Sequence, residues 1–188
     1  MSGYVDKLNN EGKPISSDNN KGLYLNEECT ERCKQLLDTA HLYAEGHSGC
    51  KKVSVGSVIV DNLHTTHVRV YGANETIPVS CKKEGCLRVQ KYGENSKLHR
   101  NPEDCRAIHS EVNAISIAAR YGLSLEGKTI VVTRYPCEAC ARAIISSGIK
   151  EVVYGRAQNC SEETYNMLRG ADISVIHVQD WDAPDVIY

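Results

Sequence analysis

The 188-residue chain contains no phenylalanine, and its aromatic residues are 10 tyrosines and the single Trp181. Aromatic packing must therefore rely on tyrosine and on this one tryptophan. No apolar run approaches the roughly 20 residues that a membrane-spanning helix needs. The first residues also lack the basic and then apolar segments of a secretory signal. These absences predict a cytoplasmic protein that has no membrane partner.

An excess of charge of one sign is also missing. The formal net charge is −2, although 24% of the residues are charged, whereas nucleic-acid-binding proteins are usually strongly basic. Nucleic acid is therefore not an expected partner. Nine cysteines, an odd number, are present. In a reducing compartment they favour metal binding and buried thiols over a disulfide framework.

The chain divides into a polar N-terminal segment and one domain. Residues 1–25 have almost no apolar periodicity, which predicts a mobile N-terminal arm. Residues 26–188 are expected to form a single domain with an insertion at about 75–106. A loop that long is unusual in a compact domain unless it is functional or is held by something other than a hydrophobic core.

Apolar spacing predicts the elements of this domain. Helical spacing from Asn26 to Gly46 predicts the first helix. Two adjacent segments rich in valine, joined by a short polar turn, predict an antiparallel pair of strands. The predicted strands are 53–60, 66–71, 129–133, 151–154 and 173–178, and the later helices are 109–121, 137–147 and 161–168. This order predicts an α/β fold, a three-layer α-β-α sandwich whose mixed five-stranded sheet begins with two antiparallel strands and has helices on both faces.

Two short motifs carry the chemistry. His109 and Glu111 form an H-x-E motif, and Pro136, Cys137 and Cys140 form a P-C-x-x-C motif about one strand later. One imidazole and two thiolates leave one coordination position of a tetrahedral zinc ion open for water, as catalytic zinc sites do. Zinc lowers the pKa of that water from about 15.7 towards about 7. Glu111 is the candidate general acid and base.

The positions of these motifs support the same interpretation. Each motif begins a predicted helix, and Cys137 and Cys140 are three residues apart, so that both thiolates lie on one face. The partial positive charge of a helix N-terminus favours thiolate over thiol. The alternative is a purely structural zinc with Glu111 on a solvated face. A structural site normally has a fourth cysteine or histidine ligand. The two motifs supply only three ligands, and this favours a catalytic zinc.

Here the chain resembles a known family. Residues 105–115 and 136–149 look like the corresponding segments of the deoxycytidylate (dCMP) deaminases, including those of bacteriophages, and 55–60 and 72–74 extend the resemblance to about residues 26–178. The motif pair is the pattern of zinc nucleobase deaminases in general. The resemblance implies a cytidine-deaminase-like fold and the hydrolysis of dCMP to dUMP and ammonia, which supplies dUMP for thymidylate synthesis. It also implies a homo-oligomer, commonly a hexamer, with dCTP and dTTP as effectors and Mg²⁺ accompanying the regulatory nucleotide.

The resemblance also assigns substrate-binding residues. Asn74 matches the asparagine that holds the sugar and the ring edge, and Tyr154 matches a family tyrosine. Lys52 is a candidate for the 5′-phosphate, and the alternative is a solvated loop lysine. Glu75 beside Asn74 resembles the sugar-binding pair of the cytidine deaminases. Two positions depart from the family pattern. The usual Gly-Tyr-Asn-Gly reads Gly-Ala-Asn-Glu over residues 72–75, and Gln158 stands where many members have a second tyrosine. These departures leave the identity of the pyrimidine and the regulation open.

The insertion carries ligands for a second, structural zinc. Some dCMP deaminases bind such an ion with a cysteine before the first strand and with cysteine and histidine ligands in the insertion. By that resemblance the leading set is Cys50, Cys81, His99 and Cys105, with Cys86 in reserve. Tetrahedral zinc needs four ligands, and it would hold a loop that lacks a core. The alternative is a flexible loop with incidental free thiols.

Two other functions are compatible with the sequence. A related zinc deaminase could act on a modified deoxycytidylate, on free cytidine or deoxycytidine, or on a nucleic-acid base. A catalytically silent, zinc-stapled binding module could keep the fold and lose turnover. The near-neutral charge argues against a nucleic-acid substrate, and the presence of Glu111 argues against a silent module.

Overall fold

The computed structural model describes residues 26–93, 104–157 and 160–184. The predicted N-terminal arm, His99 and Gln158 lie outside the described residues. The helices are α1 (Glu27–His47), α2 (Cys81–Glu84), α3 (Leu87–Tyr92), α4 (Ser110–Arg120), α5 (Glu138–Ser146) and α6 (Glu162–Gly170). The strands are β1 (Gly56–Val60), β2 (Val68–Ala73), β3 (Thr129–Arg134), β4 (Glu151–Arg156) and β5 (Ser174–His177).

The five strands form one sheet in the order β2-β1-β3-β4-β5. Strand β1 pairs antiparallel with both β2 and β3, whereas β3 pairs parallel with β4 and β4 with β5. The predicted mixed sheet with an antiparallel first pair is therefore confirmed. Since β2 and β3 both run opposite to β1, the carboxyl ends of β2, β3 and β4 lie at the same edge of the sheet.

Helices cover both faces of the sheet, as predicted. Alternate side chains of each strand point to opposite faces, so that Val58 and Val131 pack with α1 while Ile59 and Ile130 pack with α4, α5 and α6. Helix α1 lies very close to β1, because a Cβ atom added at Gly56 would come within 1.8 Å of the carbonyl oxygen of Ala40. The two faces thus form two separate hydrophobic clusters.

Hydrogen bonds at both ends set the boundaries of the first helix. The Asn26 side chain caps the N-terminus by accepting a hydrogen bond from the backbone N–H of Cys29 at 2.8 Å. At the other end the N–H of Ser48 donates to the carbonyl of Ala44 at 2.7 Å. The helix ends at His47, one residue beyond the predicted stop at Gly46.

Two parts of the predicted secondary structure were wrong. Strand β1 begins at Gly56 instead of residue 53, because the side chain of Asn74 takes up the backbone groups of Val53 and Val55 that would otherwise continue a ladder. The insertion is not irregular throughout, since it contains α2 and α3. Within the described ranges, no helix has the length and apolar character needed to cross a bilayer.

Candidate active site

Two helix N-termini bring the motif residues together. His109 is the N-cap residue of α4 and Cys137 is the N-cap residue of α5, and the two helices pack side by side on the same face of the sheet. Helix α5 begins just beyond the carboxyl end of β3. The chain ahead of α4 is fixed at the same edge by the bridge between Thr76, just after β2, and Ala107. Ligands of open α/β sheets commonly bind at this edge.

His109, Cys137 and Cys140 offer ligand atoms that all lie within 4.8 Å of one another. The Nδ1 atom of His109 is 3.5 Å from Sγ of Cys137 and 3.3 Å from Sγ of Cys140. Zinc bonds of about 2.0 Å to nitrogen and 2.3 Å to sulfur at a tetrahedral angle place these atoms ~3.5 Å apart. The three residues therefore fit a zinc ion. Over the ranges that the structure covers, this is the one such group of three histidine, cysteine or acidic residues.

The three candidate ligands share protons. The hydrogen bonds from Cys140 and His109 hold the pKa of Cys137 at about 3, far below its usual range. The hydrogen bond to Cys137, together with burial, raises the pKa of the Cys140 thiol. The hydrogen bond to Cys137 also raises the pKa of His109. Because a cation binds deprotonated ligands, the proton shared among these groups must leave when the metal binds.

Glu111 lies beside these candidate ligands and is 4% exposed. Its Oε2 atom accepts a hydrogen bond from Oγ of Ser110 at 3.1 Å, and its carboxyl group contacts the Cys140 thiol. Burial raises the pKa of Glu111 above its usual range because desolvation disfavours the charged form. A carboxyl group whose pKa moves towards neutrality both takes up and releases protons readily, as a general acid and base must.

The start of α4 is held tightly against the sheet. The Ser57 hydroxyl donates to the carbonyl oxygen of Ser110 at 2.8 Å. A Cβ atom at Gly72 would come within 2.2 Å of the same oxygen, so that only glycine fits there. The Asn113 side chain accepts from the backbone N–H of Ala73 at 3.4 Å. These contacts fix the position from which Glu111 projects.

A cavity of about 310 Å³ opens over the candidate metal site. His109, Glu111 and Cys137 line it together with Lys52 and Asn74. Cys140 lies beneath, with 1% of its surface exposed. The structure thus brings together both motifs and two of the four residues predicted to bind substrate.

The other two predicted substrate residues do not line this cavity. Glu75 lies just outside it, and its carbonyl oxygen accepts a hydrogen bond from the N–H of Ile108 at 2.8 Å. Tyr154 is 2% exposed and lies in the interior. Its ring stacks on His177 at 4.6 Å and meets Tyr135 edge-on at 4.8 Å. Of these two tyrosines, Tyr135 is the one that reaches the cavity wall.

Asn74 lies at the cavity with its side chain held at both ends. Its Oδ1 accepts from the N–H of Val55 and its Nδ2 donates to the carbonyl oxygen of Val53, both at 2.8 Å. An amide group has further capacity at both atoms. The side chain therefore presents a fixed donor and acceptor to the cavity.

Of the cavity residues that no sequence motif indicated, three have large polar side chains: Arg88, Arg134 and Tyr135. Arg134 and Tyr135 directly precede Pro136 at the carboxyl end of β3. Residues at a strand end that leads directly into a metal-binding motif are expected near the metal site, so the sequence could have indicated both. Arg88 belongs to α3 in the insertion, and no sequence pattern there indicated which side chain would reach the site.

The cysteines predicted for a second zinc lie in segments that converge. The N–H of Lys82 donates to the carbonyl oxygen of Gly49 at 3.1 Å, which joins the start of α2 to the segment of Cys50. Burial raises the pKa of Cys81, and Cys86, Cys50 and Cys105 add to this through their charges. Among the described residues, however, no three of these four cysteines bring their sulfur atoms within 4.8 Å of one another. His99, the remaining predicted ligand, lies outside the described residues.

The site agrees with comparisons to known proteins. Residues 30–156 match the zinc-binding region of the cytidine and deoxycytidylate deaminases. The chain belongs to this family. His109, Cys137 and Cys140 all fall within the matched region. Among the described residues of this deaminase, they form the one closely spaced His/Cys/Cys group, and this group lies at the cavity.

Individual members of the deaminase family match over different lengths. ComE operon protein 2 of Bacillus subtilis is 32% identical over 146 residues, which is 77% of this chain and 69% of that protein. The deoxycytidylate deaminase of Enterobacteria phage T2 is 42% identical over 86 residues, but these span 45% of this chain and 46% of the phage enzyme. The alignment thus covers less than half of the T2 enzyme.

A solved structure shares the fold. The dCMP deaminase of cyanophage S-TIM5, determined in complex with dCMP and dUMP, superposes with a TM-score of 0.59 at 22% identity. The superposition covers 82% of this chain and 99% of the phage chain. The predicted cytidine-deaminase-like fold is therefore confirmed.

Proposed function

We propose that this chain is a zinc-dependent deoxycytidylate deaminase that converts dCMP and water into dUMP and ammonia. The observation that carries the proposal is Glu111, a buried carboxyl group of raised pKa that lies against a His/Cys/Cys group at a cavity. The name of the T2 relative and the nucleotides bound to the cyanophage enzyme support the choice of dCMP as the substrate.

His109, Cys137 and Cys140 would hold the zinc ion. When bound there, zinc makes hydroxide available at neutral pH. Glu111 would accept the proton that water loses and pass it to N3 of the cytosine ring as oxygen adds to C4. A second proton carried by Glu111 would let the C4–N bond break with loss of ammonia. Water supplies the oxygen and both protons, so that atoms and charge balance.

Of the four residues that the sequence predicted to bind substrate, Asn74 and Lys52 are the proposed contacts. Because the amide of Asn74 is fixed by Val53 and Val55, it would meet the sugar and the ring edge without a loss of side-chain entropy on binding. Lys52 is an exposed residue that lines the cavity, and its ammonium group is one candidate for binding the 5′-phosphate. Glu75 and Tyr154 would act indirectly, since neither lines the cavity.

A substrate panel tests the proposed function. The value of kcat/KM for dCMP is expected to exceed that for deoxycytidine by about 100-fold, because the nucleoside lacks the charged contacts of the phosphate. Release of ammonia from dCMP, deoxycytidine, dCTP, 5-hydroxymethyl-dCMP and adenine nucleotides gives the measurement. Equal rates for dCMP and deoxycytidine would rule out a nucleotide-specific pocket, and a preference for the 5-hydroxymethyl compound would identify a modified substrate.

We also propose the second zinc, held by Cys50, Cys81, Cys105 and His99, with Cys86 as the reserve ligand. The convergence of the cysteine-bearing segments at Gly49 and Lys82 supports it. The ion would hold the insertion, part of which lines the cavity.

Zinc stoichiometry tests the second site. The wild-type protein is expected to contain about two zinc ions per chain, and Cys81→Ser about one, because a tetrahedral site that loses a thiolate binds zinc much more weakly. Elemental analysis after dialysis gives the count. Cys160→Ser is the matched control, since Cys160 lies outside the insertion. One zinc per wild-type chain would contradict the proposal.

Assembly and regulation stay predictions from the family resemblance. They comprise a homo-oligomer, commonly a hexamer, and control by dCTP and dTTP with Mg²⁺ accompanying the nucleotide. Sedimentation of the protein with and without each nucleotide would test both.

A further inference from the structure

The charge of the cavity differs in sign from the charge of the whole chain. Among the described residues that line the cavity, three are cationic, Lys52, Arg88 and Arg134, and one is acidic, Glu111. The formal net charge of the chain is −2. A cavity that concentrates positive charge on a protein of near-neutral net charge attracts an anion.

Arg88 reaches the cavity from the insertion. On α3, Lys91 and Tyr92 both bind Asp104, the ammonium group at 3.0 Å and the hydroxyl at 2.6 Å. Arg88 precedes them by three and four residues, so it lies on the same face of the helix. This face is directed towards the segment that leads from Asp104 to His109. Arg88 lines the same cavity as His109 and Cys137, two of the candidate metal ligands.

Arg134 reaches the cavity from the sheet. It is the last residue of β3 and is paired in register with Arg156, the last residue of β4. Burial and the neighbouring charge of Arg156 lower the pKa of Arg134. Arg134 lines the same cavity as Arg88 and His109.

We propose, resting on the deaminase function above, that Arg88 and Arg134 together bind the 5′-phosphate of the substrate. A guanidinium group offers a planar pair of donors that matches two phosphate oxygens, whereas an ammonium group acts as a point charge. Lys52 is exposed, and a solvated ammonium group contributes little to such a contact. The insertion is then the element that distinguishes a nucleotide from a nucleoside.

Product binding tests the proposal without turnover. Zinc-loaded wild type, Arg88→Gln, Arg134→Gln and Lys52→Gln would be titrated with dUMP and with deoxyuridine by calorimetry. Each arginine substitution is expected to weaken dUMP binding by about 10- to 100-fold, the range for a lost charge-assisted hydrogen bond, and to leave deoxyuridine binding within about twofold. Lys52→Gln is expected to change dUMP binding by less than about threefold.

Two further variants keep the result interpretable. Arg120→Gln is the matched control, since Arg120 is exposed in the last turn of α4 and does not line the cavity. Arg88→Lys keeps the charge but not the paired donors, and an intermediate loss is expected. Zinc content and thermal unfolding of every variant would show whether it folds.

Three outcomes would overturn the phosphate site: unchanged dUMP binding in both arginine variants, a large loss in Lys52→Gln alone, or equal losses for dUMP and deoxyuridine. The proposed function is tested separately by turnover of dCMP in the wild type. Absence of turnover together with arginine-dependent dUMP binding would reject deamination of dCMP and still support the phosphate site.

Discussion

Glu111→Gln is expected to lower kcat for deamination by roughly 10³- to 10⁴-fold, the upper part of the range for loss of a general acid and base. Glutamine has nearly the same shape, so it should fit the buried position beside Cys140 and accept the hydrogen bond from Ser110. Its amide group, however, does not take up and release protons at neutral pH. The measurement is ammonia release from dCMP at saturating substrate.

The zinc content of Glu111→Gln must remain that of the wild type for this prediction to hold, because the carboxyl group is not one of the three candidate ligands. Glu138→Gln is the matched control. Glu138 is also a first-turn glutamate, but it is exposed and pairs with Arg142 at 3.1 Å. A zinc-loaded Glu111→Gln protein that kept a tenth or more of wild-type turnover would remove Glu111 from the mechanism.

The second large effect is expected for Cys140→Ala. Cys140 is the buried member of the His/Cys/Cys group, and its Sγ lies 3.3 Å from Nδ1 of His109. Without it, His109 and Cys137 would be left as a two-ligand site, too few for stable zinc binding. We expect the loss of one zinc ion per chain and of deaminase activity to the detection limit. Elemental analysis and ammonia release give the two measurements.

Cys160→Ala separates this effect from the loss of a thiol in general. Cys160 is partly buried and lies outside both motifs, so the control should keep its zinc and its activity. Cys140→Ala with an unchanged zinc count would show that the ion is bound elsewhere. Recovery of full activity on adding zinc to this variant would show that the sulfur of Cys140 is dispensable.

The sequence was sufficient for the order of elements outside the insertion and for the metal group. Apolar spacing along α4, β3 and α5 depends on contacts between residues a few positions apart, and it predicted these elements to within about three residues of where they end. The approach of Cys137 and Cys140 followed from their spacing of three on one helix. Their approach to His109 followed from the family resemblance and was then found in the fold.

The tertiary structure alone decided which other side chains reach the cavity. Arg88 is more than 40 residues from Arg134 in the sequence, and they line one cavity because α3 is held to Asp104 and β3 ends at the same edge. Tyr154, by contrast, points into the interior and leaves the cavity wall to Tyr135.

The sequence by itself determined the candidate metal ligands and the candidate general acid and base, because these residue types are encoded in two short motifs. The tertiary structure decided the burial that raises the pKa of Glu111. It also decided the anchoring of Asn74 on Val53 and Val55 and the cationic character of the cavity. Burial and electrostatic environment depend on segments that are distant in the chain and meet only after folding, and for that reason no local pattern predicts them.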